Sequence, residues 1–264
     1  MSVPHTQGGR PLGWHHPATR GECHWGAPHL GAVDVSQLPS EVMLGGLPPV
    51  YDQGQVGSCT ANALAGAVEI LHAHQGLADV RPDRVAIYYR ERAMEGDTSD
   101  DAGAMIADGV TVVRSVGYSP ERGYMPAWGS SWTTEPPALP ADAPRVVNAD
   151  PLPIDPHQVM FALAAGFPVV VGLSIVQAWE DLTGDTLPLP GDASIGGHAL
   201  CLVGYRTQPT GVQFRVRNSW SEAWADGGYA WLPSEWIILA CCGEAFALRA
   251  VRVLASDPSG EASA

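Results

Sequence analysis

The period of the hydrophobic pattern changes once along this 264-residue chain, and that change restricts the folds open to it. After the loop Gly54-Gln-Val-Gly-Ser58, the residues Ala61, Leu64, Ala65, Val68, Ile70 and Leu71 recur at helical spacing in an Ala-rich stretch that begins at Cys59. A second helix is expected over residues 82–94, with Pro82 near its first turn, and a third over residues 105–116, stopped by Gly117. Residues 118–156 are dense in Pro, Ser and Trp and read as a connector. Late in it and beyond, the apolar runs become short and β-branched, over residues 146–148, 168–173, 198–205, 212–217 and 228–232, with one helix near residues 157–165. Helices first and strands afterwards predict an α+β fold whose second half is an antiparallel sheet.

Residues 1–45 have neither period. They hold Trp14, Trp25, Cys23 and five of the nine histidines, His5, His15, His16, His24 and His29, among many Gly and Pro. This reads as an irregular arm whose Trp and Leu residues pack across the body of the protein. The Cys23/His24/His29 and His15/His16 spacings fit no established zinc pattern, so no metal is expected.

Composition excludes several function classes. All fourteen cations are arginines, which removes Schiff-base catalysis by the chain's own lysine and the lysine of a phosphate-binding P-loop. A net charge of -14 with no basic run argues against nucleic acid as a partner. No apolar stretch approaches about 20 residues and the N-terminus lacks an apolar leader, so an unexported cytoplasmic protein without membrane association is expected. Five cysteines without a C-x-x-C pair signal no disulfide framework and suit free thiols in a reducing compartment. The acidic surplus reads as a solvated surface that at most steers cationic or neutral substrates.

Cys59 opens an apolar helix, where backbone N–H groups and the helix dipole favour a thiolate. The residues alone leave two readings of it, an activated nucleophile or a small core hydrophobe. A nucleophile needs a base, and four histidines lie beyond the arm: His72, His74, His157 and His198. His72 and His74 follow on the Cys59 helix about 20 Å away at 1.5 Å per residue. His157 reads as a surface residue near a helix start. His198 opens a strand directly after Gly196-Gly197, two glycines that leave room for another backbone to approach. If the hairpin of residues 198–205 and 212–218 is centred near residue 208, His198 lies opposite Asn218, one of three asparagines in the chain. A neutral amide accepting from the ring N–H suits a charge-balanced thiolate–imidazolium pair.

Tyr51-Asp-Gln53-Gly-Gln-Val-Gly-Ser-Cys59-Thr-Ala, Gly197-His198-Ala-Leu-Cys-Leu-Val-Gly-Tyr205 and Arg217-Asn218-Ser-Trp220-Ser-Glu-Ala-Trp224-Ala-Asp-Gly-Gly-Tyr229 resemble the three signature blocks of papain-like cysteine peptidases, most closely the bacterial branch. With Asp101-Ala-Gly103-Ala, which is similar to the family's glycine-containing substrate strip, the resemblance covers roughly residues 46–250. It implies Cys59 as nucleophile, His198 as general acid/base, Asn218 as ring orienter and the Gln53 amide as oxyanion donor. It also implies Trp220 shielding the Asn218–His198 bond, and Gly103, Gly197, Ala199 and Trp220 at the substrate. Residues 169–174 with Gly196, Gly197 and Ala199 are expected to line the main specificity pocket.

The resemblance implies a two-lobed papain-like fold: an arm over 1–45, a mainly helical lobe over 46–145, a mainly β lobe over 146–255 and a flexible tail over 256–264. The cleft between the lobes would hold the site, with a peptide or amide as substrate and no cofactor. Peptide hydrolysis through a thioester is expected, with acyl transfer to an amine as the alternative and a degenerate binding protein as a third reading. Thr60 stands where the family usually has Trp, Val56 where a cysteine is often found, and Ser221 and Ala225 where glycines usually follow Asn-Ser-Trp. Only 58 residues precede Cys59, so activation by removal of a long inhibitory prodomain is not expected. Cys241-Cys242 could form a strained redox pair, though free thiols are the simpler expectation. Oligomeric state is left open.

Overall fold

A computed structural model describes residues 9–15, 34–121, 131–191, 193–239 and 241–253 of the chain. Helix α1, Cys59–His74, is buried on nearly all sides, which its run of Ala, Leu, Val and Ile requires. Helix α2, Arg84–Glu95, starts where Asp83 Oδ1 accepts from Ala86 N at 3.0 Å and ends at Gly96 in the left-handed region. Helix α3, Ile106–Thr111, runs into a π-type turn over Val112–Val116 that stops at Gly117, φ 98°. The expected third helix is therefore regular only over its first half. Helix α4, Pro156–Ala164, has Asp155 capping His157 N at 2.9 Å and proline at its first position. A short helix α5, Glu235–Leu239, lies near the end of the chain.

The strands are β1 (Glu41–Met43), β2 (Arg145–Pro151), β3 (Val169–Val176), β4 (Ser194–Gln208), β5 (Gly211–Arg217), β6 (Tyr229–Pro233) and β7 (Cys241–Arg252). They form one antiparallel sheet in the order β2-β7-β3-β4-β5-β6, with β1 paired to the far end of β4. Two strands depart from the sequence reading. β1 lies inside the expected arm and pairs Glu41 with Arg206. β7, whose Ala residues, Glu244 and Arg249 hide its strand character, inserts between β2 and β3.

The expected hairpin register is corrected. The turn is two residues, Pro209-Thr210, because Gln208 pairs with Gly211, and the register slips between Leu202 and Gly204. Cys201 therefore faces Arg217, and His198 lies beyond the end of the β4–β5 ladder instead of opposite Asn218. On its other side His198 pairs with Leu173 of β3. A single apolar cluster runs from α1 through β3, β4 and β5 and includes Leu12 and Trp14 of the arm. Helix α1 and strand β4 thus share one core, which brings the first turn of α1 beside the start of β4.

Candidate active site

The sequence places Cys59 and His198 on different elements, and the core closes the gap between them. Ala199, the residue after His198, donates its N–H to Cys59 Sγ at 3.4 Å. His198 Nε2 donates to Asn218 Oδ1 at 2.8 Å, and the same oxygen accepts from Ser219 N at 2.8 Å. With its Nε2 committed as a donor, the neutral ring carries its lone pair on Nδ1, which is buried without a hydrogen-bond partner. Trp220 is stacked on the imidazole with centroids 4.7 Å apart and planes inclined by 27°, and Trp224 meets Trp220 edge-on at 5.6 Å. This pair of indoles keeps water from the His198–Asn218 bond.

Gln53 is buried beside the first turn of α1. Its Oε1 accepts from Ser219 Oγ at 2.6 Å, and its Nε2 donates to Val56 O at 2.9 Å and to Pro11 O at 3.1 Å. Ser219 thus fixes two amides at once, Asn218 through its N–H and Gln53 through its hydroxyl. Opposite, Asp101 accepts from Gly57 N at 3.0 Å and from the Tyr88 hydroxyl, which itself accepts from Gly103 N at 3.0 Å. That chain ties the loop before Cys59 to the strip at Gly103. Ser219, Asp101 and Tyr88 have no assigned role in the sequence reading, because each acts through a partner distant in sequence.

Arm residues 13–15 occupy the space between Gly103-Ala104 and Gly197. Ala104 N donates to Gly13 O at 2.6 Å and His15 N to Ala104 O at 3.0 Å, a parallel bridge centred on Trp14, while Trp14 N donates to Gly197 O at 3.1 Å. Gly103 (φ +82°) and Gly13 touch so closely that a Cβ on Gly103 would lie 2.1 Å from Gly13 O. Gly103 and Gly197 therefore face a bound peptide segment, the chain's own, whereas Ala199 faces the thiol and Trp220 the imidazole. Arg10 adds its guanidinium 5.7 Å from the Trp220 ring centre.

Burial pushes the Cys59 thiol up to about 12, against the N–H groups of Ala199 and Gly13 that favour the thiolate. Burial likewise pulls His198 down to about 4, against the Asn218 bond. Next to Cys59, Thr60 Oγ1 donates to Glu91 Oε2 at 2.7 Å, and burial raises Glu91 to about 8. Cys201 points into the core, and burial raises it to about 12. His72 bonds Tyr118 and Ala78, away from the site, and His157 is exposed. Cys23, His16, His24, His29 and the side chains of Cys241 and Cys242 lie outside the described residues. Among the described residues no cluster of His, Cys, Asp and Glu could hold a metal.

A helix-borne thiol, an imidazole on the edge of a sheet, a buried amide that orients the ring and a second amide beside the thiol define a papain-type site. A family model described as papain family cysteine protease matches residues 41–245, and the chain belongs to that family. It is 30% identical over 205 residues to an uncharacterized peptidase C1-like protein, L477, of Acanthamoeba polyphaga mimivirus, covering 70% of this chain and 64% of that protein. It is 26% identical to the probable cysteine protease RD19D of Arabidopsis thaliana, over 75% of this chain and 58% of the relative. The chain thus spans less than two thirds of the length of these relatives. Among solved structures it superposes on xylellain, a cysteine protease from Xylella fastidiosa, with a TM-score of 0.79 and 29% identity, over 92% of this chain and 97% of that one.

Proposed function

We propose that the chain is a cysteine peptidase whose nucleophile is Cys59. The observation that carries this reading is that Gln53 Nε2 already holds a peptide oxygen, that of Pro11, two residues before Gly13, whose N–H favours the Cys59 thiolate. A donor aimed at a peptide carbonyl next to a buried nucleophile is what stabilisation of an oxyanion requires. In the reaction, Cys59 loses its proton to His198 Nδ1 and its sulfur bonds the substrate carbonyl carbon. The C–N bond then breaks, and the proton on His198 passes to the departing amine. Water, deprotonated by the same nitrogen, cleaves the thioester to the acid and restores the thiol. Asn218 holds the ring, Trp220 screens that bond, and Gly103 and Gly197 bind the substrate backbone.

The reading includes two lobes, residues 46–145 and 146–255, that meet at this cleft, an arm over 1–45 that must leave it before substrate enters, and a tail over 256–264. It needs no cofactor. No described helix is long and apolar enough to cross a membrane, and a reducing cytoplasm would keep the thiol free. That the relatives are named as peptidases and cysteine proteases favours hydrolysis over amine capture. A peptide mixture with an added free amine, incubated with wild type and with Cys59→Ala and read by mass spectrometry, tests this. New acid termini made only by the wild type are expected; amine adducts without acids, or identical products from both proteins, would overturn it.

A further inference from the structure

The chain is strongly acidic, with a net charge of -14, yet three of its fourteen arginines converge on one open cavity of about 470 Å³ that none of the catalytic residues lines. Arg114 and Ser115 reach it from the π-type turn after α3, Arg145 from the start of β2 and Arg252 from the end of β7, and Thr111 and Val147 also line it. Among the described residues no carboxylate lines this cavity. Arg145 and Arg252 stand directly opposite each other in the β2–β7 ladder, a like-charge pairing that costs stability. Nothing described in the chain relieves it. Arg114 and Arg252 have no ion pair or hydrogen bond among the described residues. Arg145 donates from one terminal nitrogen to Ala141 O at 3.3 Å, and its Nε is buried without a partner. Elsewhere Arg84 and Arg249 each hold a carboxylate oxygen at 2.8 Å. The cluster is also fixed in place. A Cβ on Gly117 would lie 2.5 Å from Pro144 O and 3.1 Å from Arg145 Cγ, and Tyr118 N donates to Pro144 O at 3.0 Å. The turn that carries Arg114 is thus held against the stem of Arg145.

We propose that this cavity binds a compact phosphate-class anion. Guanidinium groups stay charged at physiological pH and present planar forks of donors that match phosphate oxygens. An anion seated among the three turns the Arg145–Arg252 repulsion into two charge-assisted contacts and gives the buried Nε an acceptor. A long polyanion is disfavoured, because beyond the cavity it meets the acidic surplus of the chain.

The test is calorimetric titration of the full chain at low ionic strength, where exposed charges are least screened, with EDTA present so that no divalent cation carries the anion. The probes are inorganic phosphate, pyrophosphate and phenyl phosphate. Saturable binding is expected, with pyrophosphate ahead if the cavity takes a free diphosphate and phenyl phosphate ahead if it takes an ester packed on Val147. Arg114→Ala and Arg252→Ala, both at exposed positions, should each weaken it about ten- to a hundredfold, whereas Cys59→Ala should leave it unchanged. Arg252→Glu should raise Tm without ligand, since it sets opposite charges on facing residues, and should abolish the further rise that pyrophosphate gives wild type. No saturable binding, affinities that both alanine variants leave unchanged, or tighter binding of a short oligonucleotide than of any of the three probes would overturn the proposal.

Discussion

With the arm seated, the Cys59 thiol sits near 12 and His198 near 4, so at neutral pH both partners are uncharged. Burial is the leading cause for each, so opening the cleft lowers the thiol and raises the imidazole, and the two charged forms then stabilise each other. Alkylation of Cys59 by iodoacetamide, followed by peptide mapping, should at pH 7 be at least about tenfold faster in Trp14→Ala than in wild type, with its onset at lower pH. Cys201, buried elsewhere in the core, serves as the unreactive internal control. A second residue-scale effect lies in the loop after Asn218. Ser221 and Ala225 have φ of 65° and 49°, the left-handed region that glycine enters freely. Ser221→Gly and Ala225→Gly are each expected to stabilise the protein by about 0.5–1 kcal/mol, read as a rise in Tm of roughly 1–4 °C. The sequence marked both positions as departures from the resembled pattern; the backbone angles show what the departures cost.

At the scale of elements, α1 and α2 meet through a carboxyl group. Glu91 accepts from Thr60 with one oxygen, while the other is buried without a partner, and a Cβ on Gly109 of α3 would come within 2.2 Å of that second oxygen. Burial raises Glu91 to about 8, so the folded state favours the protonated form. Its contribution to stability is complete below the unfolded value near 4.5 and is lost as pH rises through about 8. Glu69, raised to about 7 by burial, acts in the same direction. Glu91→Gln, which keeps the shape without the charge, should flatten the fall in Tm between pH 5 and 8. Relative to wild type it should gain on the order of 1–3 kcal/mol at pH 8 and little at pH 5. Helices α1, α2 and α4 were legible because their spacing and stop signals are local, whereas the five-residue α5 is too short to show a period. The register of β4 on β5 was not, because a two-residue turn at Pro209-Thr210 and a slip near Val203 displace it in ways that alternation alone does not encode. His198 still reaches Asn218, since the asparagine follows the last pair of β5 and its N–H is held by Gly228 O at 3.0 Å.

At the scale of the molecule the described arm residues 9–15 pack against the body. The seat is specific: a Cβ on Gly13 would stand 1.6 Å from Gly57 O, a backbone contact that no side-chain rotation relieves. Gly13→Ala is therefore expected to unseat the arm while leaving every residue of the body unchanged. Its kcat/KM on a cleaved peptide should exceed that of wild type severalfold, and limited proteolysis should cut the arm sooner; equal rates in both assays would count against the seated arm as the barrier. Sequence alone determined helices α1, α2 and α4 and strands β2 to β6 in their order, and it led to the expectation that Cys59, His198, Asn218 and Gln53 meet, since these rest on local spacing, residue chemistry and the resemblance. Only the tertiary structure decided that Pro11 reaches Gln53, that Gly13 and Trp14 lie against Ala104 and Gly197, that Ser219 aligns two amides, and that Glu244 from the last strand accepts from the Trp14 indole. Each of these joins residues far apart in the chain, and such contacts are fixed by how the sheet and helices pack around a common core.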